Sequence, residues 1–304
     1  MLRALELATY AIKNCRPNPA VGAVIVKNGE TIGEGYTQEP GNAHAEIAAL
    51  KNAGENANGA ELYVTLEPCS HYGRTPPCTD AIIKAGIKKV YYGYLDPNGL
   101  VSGIEKLNEA GIETAKENLD GLVDDFYESY AWFAQNKTPY VTLKIAQTMD
   151  GFIANDDKTS LQITGEESQV ALHRLRSFCD AVVVGGGTFR CDNPQLTVRK
   201  VKGANPQRIV FSRNNFSGGT FEENWRLMLA QCAEKGMHHI LVEAGASLAK
   251  NLFEIPGSFN RFLLWTSPLR VHKGLRWEMP KNLALKRTYM QGEDFCGEFS
   301  ALII

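Results

Sequence analysis

Three short segments concentrate residues able to hold a metal and move protons: His44-Ala45-Glu46, Pro68-Cys69 and Pro77-Cys78. One imidazole and two thiolates are borderline-soft ligands that suit Zn2+, and three protein ligands leave a tetrahedral ion one position for water. A closed structural site would want a fourth ligand. Two thiolates balance the charge of the ion and leave it able to lower the pKa of a water it holds. His44 and Glu46 are two residues apart, so along a helix their side chains diverge, but at a helix start both can reach a metal lying off the N-terminus. Cys78 is also expected at a helix start, where the positive end of the dipole favours thiolate. His44, Cys69 and Cys78 are therefore the expected ligands. Glu46 remains free as the acid/base that carries a proton from water to a leaving nitrogen. A lone Cys is usually a buried apolar residue, and a lone His or Glu usually carries nothing. Four of them at strand ends and helix starts point together to hydrolytic deamination at zinc.

Eight residues, Ser70 to Pro77, separate the two cysteines. Deaminases of nucleic-acid bases use the tighter Pro-Cys-x-x-Cys. The longer loop brings His71 and Arg74 beside the metal, as natural partners for a phosphate. Upstream, Arg16-Pro17-Asn18-Pro19 puts an amide in a rigid turn, suited to reading a base edge. The charge balance agrees with a small substrate: 32 Lys plus Arg against 34 Asp plus Glu give a net charge of −2. No basic excess exists to grip a polyanion, so nucleic acid is not an expected partner.

The elements that must position these residues read as α/β. The 304 residues exceed what one core usually organises. Hydrophobic residues at 44% and charged residues at 22% describe an ordinary globular chain. Seven cysteines are too sparse for a disulfide scaffold and suit a reducing compartment. The segment Met1 to Ala8 has charges inside its apolar run and reads as an amphipathic helix, not a signal peptide. No run approaches the ~20 apolar residues of a membrane span, so a cytoplasmic enzyme without membrane contact is expected. Strands are expected over 21–26 and 31–35 around the Asn28-Gly29 turn, then over 61–66 and 88–93, with helices over 44–53, from Pro76-Pro77, and over 119–135. The pattern breaks near Pro139, which places the domain boundary at 137–140. Strands are then expected over 140–145, 181–184, 208–211 and 239–242, with helices over 166–177 and 221–235 and another after Ser247. Gly185-Gly186-Gly187 reads as a tight turn or a close backbone approach. Glu243-Ala244-Gly245-Ala246-Ser247 is an ordinary turn or a cradle for a pyrophosphate. Lys144, Arg176 and Arg199 are candidates for binding phosphate, although each alone is more often a solvated charge.

Pro17-Asn18-Pro19-Ala20-Val21-Gly22, His44-Ala45-Glu46 and the run from Thr65 to Cys78 resemble the bifunctional riboflavin-biosynthesis deaminase/reductase family. The resemblance implies that residues 1–137 form a cytidine-deaminase-like three-layer α/β/α domain with a mixed sheet. That domain would hydrolyse an amino group of a diamino-hydroxy-phosphoribosylaminopyrimidine. It assigns His44, Cys69 and Cys78 to zinc, Glu46 to catalysis, and Asn18, His71 and Arg74 to substrate. Further motifs include Leu143-Lys144, Asp150-Gly151, His173 to Arg176, Asp192 to Arg199 and Val242 to Gly245. They resemble the same family's reductase half. For residues 138–304 this implies a dihydrofolate-reductase-like α/β domain, shortened between Val201 and Gly236, that uses NADPH to reduce the ribosyl group to ribityl. Ser160, Arg176, Leu196, Arg199 and Glu243 would touch substrate, and Ala146, Thr188, Asp192, Ser212 and Gly245 would touch NADPH. A homo-oligomer is expected. Gln162 stands where the family usually has Trp, and with the shortened segment it motivates the alternative: a deaminase whose second half only binds or oligomerises. A deaminase of RNA or free nucleosides is the third reading, opposed by the cysteine spacing and the balanced charge.

Overall fold

The computed structural model describes residues 1–73, 76–99, 101–157, 159, 161–212 and 218–301. The chain divides into two compact units, Met1–Lys137 and Thr138–Ile304. Among the described residues no helix is long and apolar enough to cross a membrane.

The first unit runs α1 (Leu2–Ala11), β1 (Gly22–Lys27), β2 (Glu30–Tyr36), α2 (Ala45–Ala53), β3 (Glu61–Leu66), α3 (Cys78–Lys84), β4 (Lys89–Tyr94), α4 (Gly103–Glu109), β5 (Glu113–Lys116) and α5 (Leu122–Asn136). Asn28 and Gly29, both at positive φ, form the two-residue turn that joins β1 to β2. The sheet order is β2-β1-β3-β4-β5; β1 is antiparallel to β2 and β3, and β3, β4 and β5 are parallel. Ala23, Ile25, Leu62, Val64 and Leu66 pack beneath α2 and α3. Val24 points the other way, onto Ala4 and Leu7 of α1, and the side chain of Val123 on α5 lies over Gly93 on that same face. The result is three layers. Ala45, Ala49 and Ala53 recur every four residues along α2. A Cβ on Gly35 or Gly33 of β2 would strike the carbonyl oxygens of Ala45 and Ala49. The helix backbone therefore lies directly on the strand, which fixes the N-terminus that carries His44 and Glu46.

The structure corrects three local expectations. Pro77 is the N-cap of α3, and Cys78 is its first helical residue. The helix expected from residue 119 starts at Leu122, because Leu119 and Asp120 adopt positive φ ahead of an N-capping Gly121. The α4 and β5 elements lie in a stretch that the sequence reading left empty. With seven and four residues and few apolar positions, neither carries a usable periodicity.

The second unit runs β6 (Tyr140–Thr148), β7 (Phe152–Ala154), α6 (Glu166–Phe178), β8 (Ala181–Gly185), α7 (Gly186–Asp192), β9 (Gln207–Phe211), α8 (Phe221–Glu234), β10 (His239–Glu243), α9 (Ala246–Phe253), β11 (Arg261–Ser267), β12 (Leu275–Arg276), β13 (Leu283–Gln291) and β14 (Asp294–Ala301). Seven strands form one sheet in the order β13-β14-β11-β6-β10-β8-β9, and β7 pairs with β12 separately. The five from β11 to β9 are mutually parallel, while β14 and β13 close the edge antiparallel. Central β8 and β10 are almost wholly buried, the pattern of parallel strands covered on both faces. Gly186 and Gly187 open α7 instead of making a free turn.

Candidate functional site

The N-terminus of α2, the loop after β3 and the N-terminus of α3 bring three donors together. His44 is the N-cap of α2. Its Nδ1 lies 3.6 Å from Cys69 Sγ and 3.3 Å from Cys78 Sγ, and one donor atom from each residue falls within 4.8 Å of the others. A tetrahedral zinc with bonds of about 2.3 Å to sulfur and about 2.0 Å to nitrogen would hold the two atom types about 3.5 Å apart, so the donor set fits that ion. All seven cysteines are free thiols. The Cys78 amide donates to Cys69 Sγ at 3.3 Å, and the Thr79 amide donates to the Cys69 carbonyl at 3.2 Å, so α3 reads both the side chain and the backbone of Cys69.

Electrostatics inside the cluster are strongly polarised. The Cys69 thiol is held below the usual thiol range, first by its hydrogen bond with Cys78 and then by His44. Cys78 is pushed up by the adjacent Cys69 and by burial. Glu46, only 4% exposed, is raised to about 7 by burial and by the neighbouring Cys69. That range suits a group that must both take and give a proton.

Glu67, which the sequence reading left without a role, anchors the ligand loop. Its carboxylate accepts the amides of Asp96 at 3.2 Å and Ile104 at 3.1 Å, and it is nearly buried. Beside it a Cβ on Gly103 would collide with the Pro68 carbonyl. The start of α4 therefore grips the turn that presents Cys69. A carboxylate just before Pro68-Cys69 was the available signal. Of the expected substrate contacts, Asn18 is half-buried in the turn entering β1 and His71 is exposed; burial raises the pKa of Asp96, and nearby His71 opposes that rise only weakly. Arg74 and, in the second unit, Ser160 fall outside the described residues.

In the second unit the structure joins candidates that are far apart in sequence. Arg176 on α6 and Glu243 at the end of β10 form a two-pronged ion pair at 2.6 and 2.8 Å. The guanidinium also donates to the Thr197 carbonyl at 3.1 Å. Arg199 is exposed; its side chain donates to Thr197 Oγ1 and its amide to His173 Nδ1. Leu196 is buried at positive φ and packs in a core cluster with Val182 and Leu241. Lys144 is the register partner of Glu243. Only 7% exposed, it rests its ammonium 4.8 Å from the Trp265 ring centroid, and burial lowers its pKa. It is no solvated surface charge. Thr188 and Gly245 face each other: a Cβ on Gly245 would sit 3.2 Å from Thr188 Oγ1. Ser212, at the end of β9, lies against Gly186. Ala146 is half-buried near the end of β6, and Asp192 is exposed at the end of α7.

Comparison with known proteins matches each unit. The cytidine and deoxycytidylate deaminase zinc-binding region matches residues 1–94, and the RibD C-terminal domain matches residues 139–271. Riboflavin biosynthesis protein RibD of Synechocystis is 46% identical over 216 residues, covering 70% of this chain and 59% of that protein. The chain thus spans about three-fifths of the length of such curated relatives. The protein of the same name from Corynebacterium ammoniagenes is 40% identical over 277 residues, covering 85% and 82%. A solved Thermotoga maritima structure is described as a diaminohydroxyphosphoribosylaminopyrimidine deaminase/5-amino-6-(5-phosphoribosylamino)uracil reductase. It superposes with a TM-score of 0.84 at 33% identity, covering 99% of this chain and 97% of that one. Two folded units, a three-donor cluster and these matches in chain order place the protein: it belongs to the family of the riboflavin biosynthesis protein RibD.

Proposed function

We propose that the first unit deaminates a diamino-hydroxy-phosphoribosylaminopyrimidine with zinc, and that the second reduces the ribosyl group of the product to ribityl with NADPH. The observation that carries this reading is the buried Glu46 beside the His44, Cys69 and Cys78 donors, in a chain that continues into a RibD C-terminal domain. Zinc would be held by those three residues and would supply a Lewis acid that lowers the pKa of a bound water. Glu46 takes up, one after the other, the two protons that water gives up, and delivers one to the neighbouring ring nitrogen and one to the amino nitrogen. A carbonyl C–O bond forms, the C–N bond breaks and ammonia leaves. Asn18 reads the pyrimidine edge, and His71 and Arg74 hold the phosphate.

In the second unit, Ala146, Thr188, Asp192, Ser212 and Gly245 would hold NADPH, whose nicotinamide supplies a hydride. Ser160, Arg176, Leu196, Arg199 and Glu243 would hold the phosphoribosyl substrate. The Lys144 ammonium is buried at the same sheet end as Glu243, with its pKa lowered, and is available to release a proton. The match of residues 139–271 favours this reading over one in which the second half only binds or oligomerises. A coupled assay with the diaminopyrimidine phosphoribosyl substrate, with and without NADPH, tests it. Ammonia release in both cases, and NADPH oxidation only after deamination, is the expected outcome. Deamination of cytidine or tRNA in place of that substrate would overturn it.

A further inference from the structure

Residues 95–138 are matched by neither family region, yet α5 reaches back from this stretch to the entrance of β1. The backbone pairing of β1 with β3 runs from Val26↔Glu61 to Ala23↔Val64 and stops there. Beyond it, three consecutive residues are each held by a hydroxyl side chain. The Gly22 amide donates to Thr65 Oγ1 at 3.1 Å. The Val21 amide donates to Thr37 Oγ1 at 3.0 Å. The Ala20 carbonyl accepts from Tyr127 Oη at 2.8 Å. Tyr127 Oη and Thr65 Oγ1 are themselves 2.6 Å apart. Because the single phenolic proton goes to Ala20, Thr65 must donate to Tyr127. The chain Gly22 N–H, Thr65 hydroxyl, Tyr127 hydroxyl, Ala20 carbonyl is thus satisfied in one direction only. On its other side Gly22 lies against the Ala4 carbonyl of α1, with no room for a Cβ.

We propose that Tyr127 is a positioning residue for the deaminase site: through Thr65 and Ala20 it fixes the segment bearing Asn18 against β3, the strand that leads into Glu67-Pro68-Cys69. The proposal rests on the deaminase reading of the first unit. A phenylalanine would fill the same space, since Tyr127 is 1% exposed and stacks at 5.5 Å on Tyr94. What the hydroxyl adds is a side-chain extension of the β1–β3 pairing toward Asn18. It sets the spacing between the residue that reads the base and the loop that carries a zinc ligand. One turn further along α5, Tyr130 donates to Asp96 Oδ1 at 3.3 Å, and the Asp96 amide is held by Glu67. The helix is therefore also linked, through Asp96, to the Glu67 carboxylate that precedes Pro68-Cys69.

The test uses the full chain with Tyr127→Phe, and Thr65→Val to break the same chain at its other end. Amide exchange over residues 18–22 should accelerate in both variants while zinc content stays at the wild-type level. KM for the diaminopyrimidine substrate should rise by about tenfold or more with kcat nearly unchanged, and NADPH-dependent reduction of the deaminated substrate should be unaffected. In an Asn18→Ala background, Tyr127→Phe should add little, because both changes remove one interaction. Unchanged exchange, an unchanged KM, or full additivity with Asn18→Ala would each overturn the proposal. If the wild-type chain released no ammonia, the deaminase reading would fall by itself, and the exchange measurement would still decide whether Tyr127 holds this segment.

Discussion

The proton-carrying role proposed for Glu46 depends on its place. On an exposed helix it would be an ordinary carboxylate; burial and the neighbouring Cys69 raise its pKa to about 7. Glu46→Gln keeps the shape and removes the proton carrier, so ammonia release should fall by about 100-fold or more while zinc stays bound. Rate and metal content measured on one preparation check both halves of that statement. The Arg176–Glu243 pair presents the opposite case, two charges that need each other. The side chains are 8% and 16% exposed, so Glu243→Ala strands a buried guanidinium. It should destabilise the second unit by about 3 kcal/mol in a denaturant titration. That His44, Cys69 and Cys78 come together was readable in the sequence because their types are chemically specific and lie in compact motifs. Arg176 and Glu243 were readable one by one, but their pairing across 67 positions was not. Nor were the buried state of Lys144 and the hydroxyl chain through Tyr127, since one sequence does not reveal which side chains share an interior.

Elements were legible where local chemistry leaves little choice. Asn28-Gly29 dictates its hairpin, and the apolar runs of β3, β8 and β10 declare buried strands. Legibility failed where an element is short or draws its stability from neighbours. β13 is exposed from Leu285 to Met290 and shows no apolar/polar alternation, and it is a strand because β14 supplies its ladder. α4 has seven residues and would be marginal alone; its start is held by Glu67, which bonds the Ile104 amide. Glu67→Ala therefore strikes an element through a residue outside it. Two half-buried amides lose their acceptor, at a cost of at most about 1–3 kcal/mol for each group left unsatisfied. The melting temperature of the first unit should fall, and zinc affinity with it, because Cys69 sits on the loop that Glu67 anchors. A variant with wild-type zinc affinity and melting temperature would show that Gly103 and Pro68 hold the loop without it.

At the scale of the whole molecule, two units with separate sheets and cores follow one another in the chain, one for each of the two proposed activities. The division was legible from the break at Pro139 and the renewed strand–helix alternation. A metal confined to the first unit should stabilise that unit alone, by about 4 kcal/mol when free zinc exceeds its Kd a thousandfold. Calorimetry with and without chelator should move one transition and leave the other in place. The central claim, that His44, Cys69 and Cys78 hold one zinc beside Glu46, is tested most directly by counting zinc and ammonia together in wild type, Cys69→Ser and Cys78→Ser. One zinc per chain and steady ammonia release are expected in the wild type. In both variants zinc and ammonia release should be lost, while NADPH is still oxidised when the deaminated substrate is supplied. Either variant retaining full zinc, or releasing ammonia without it, would contradict the account.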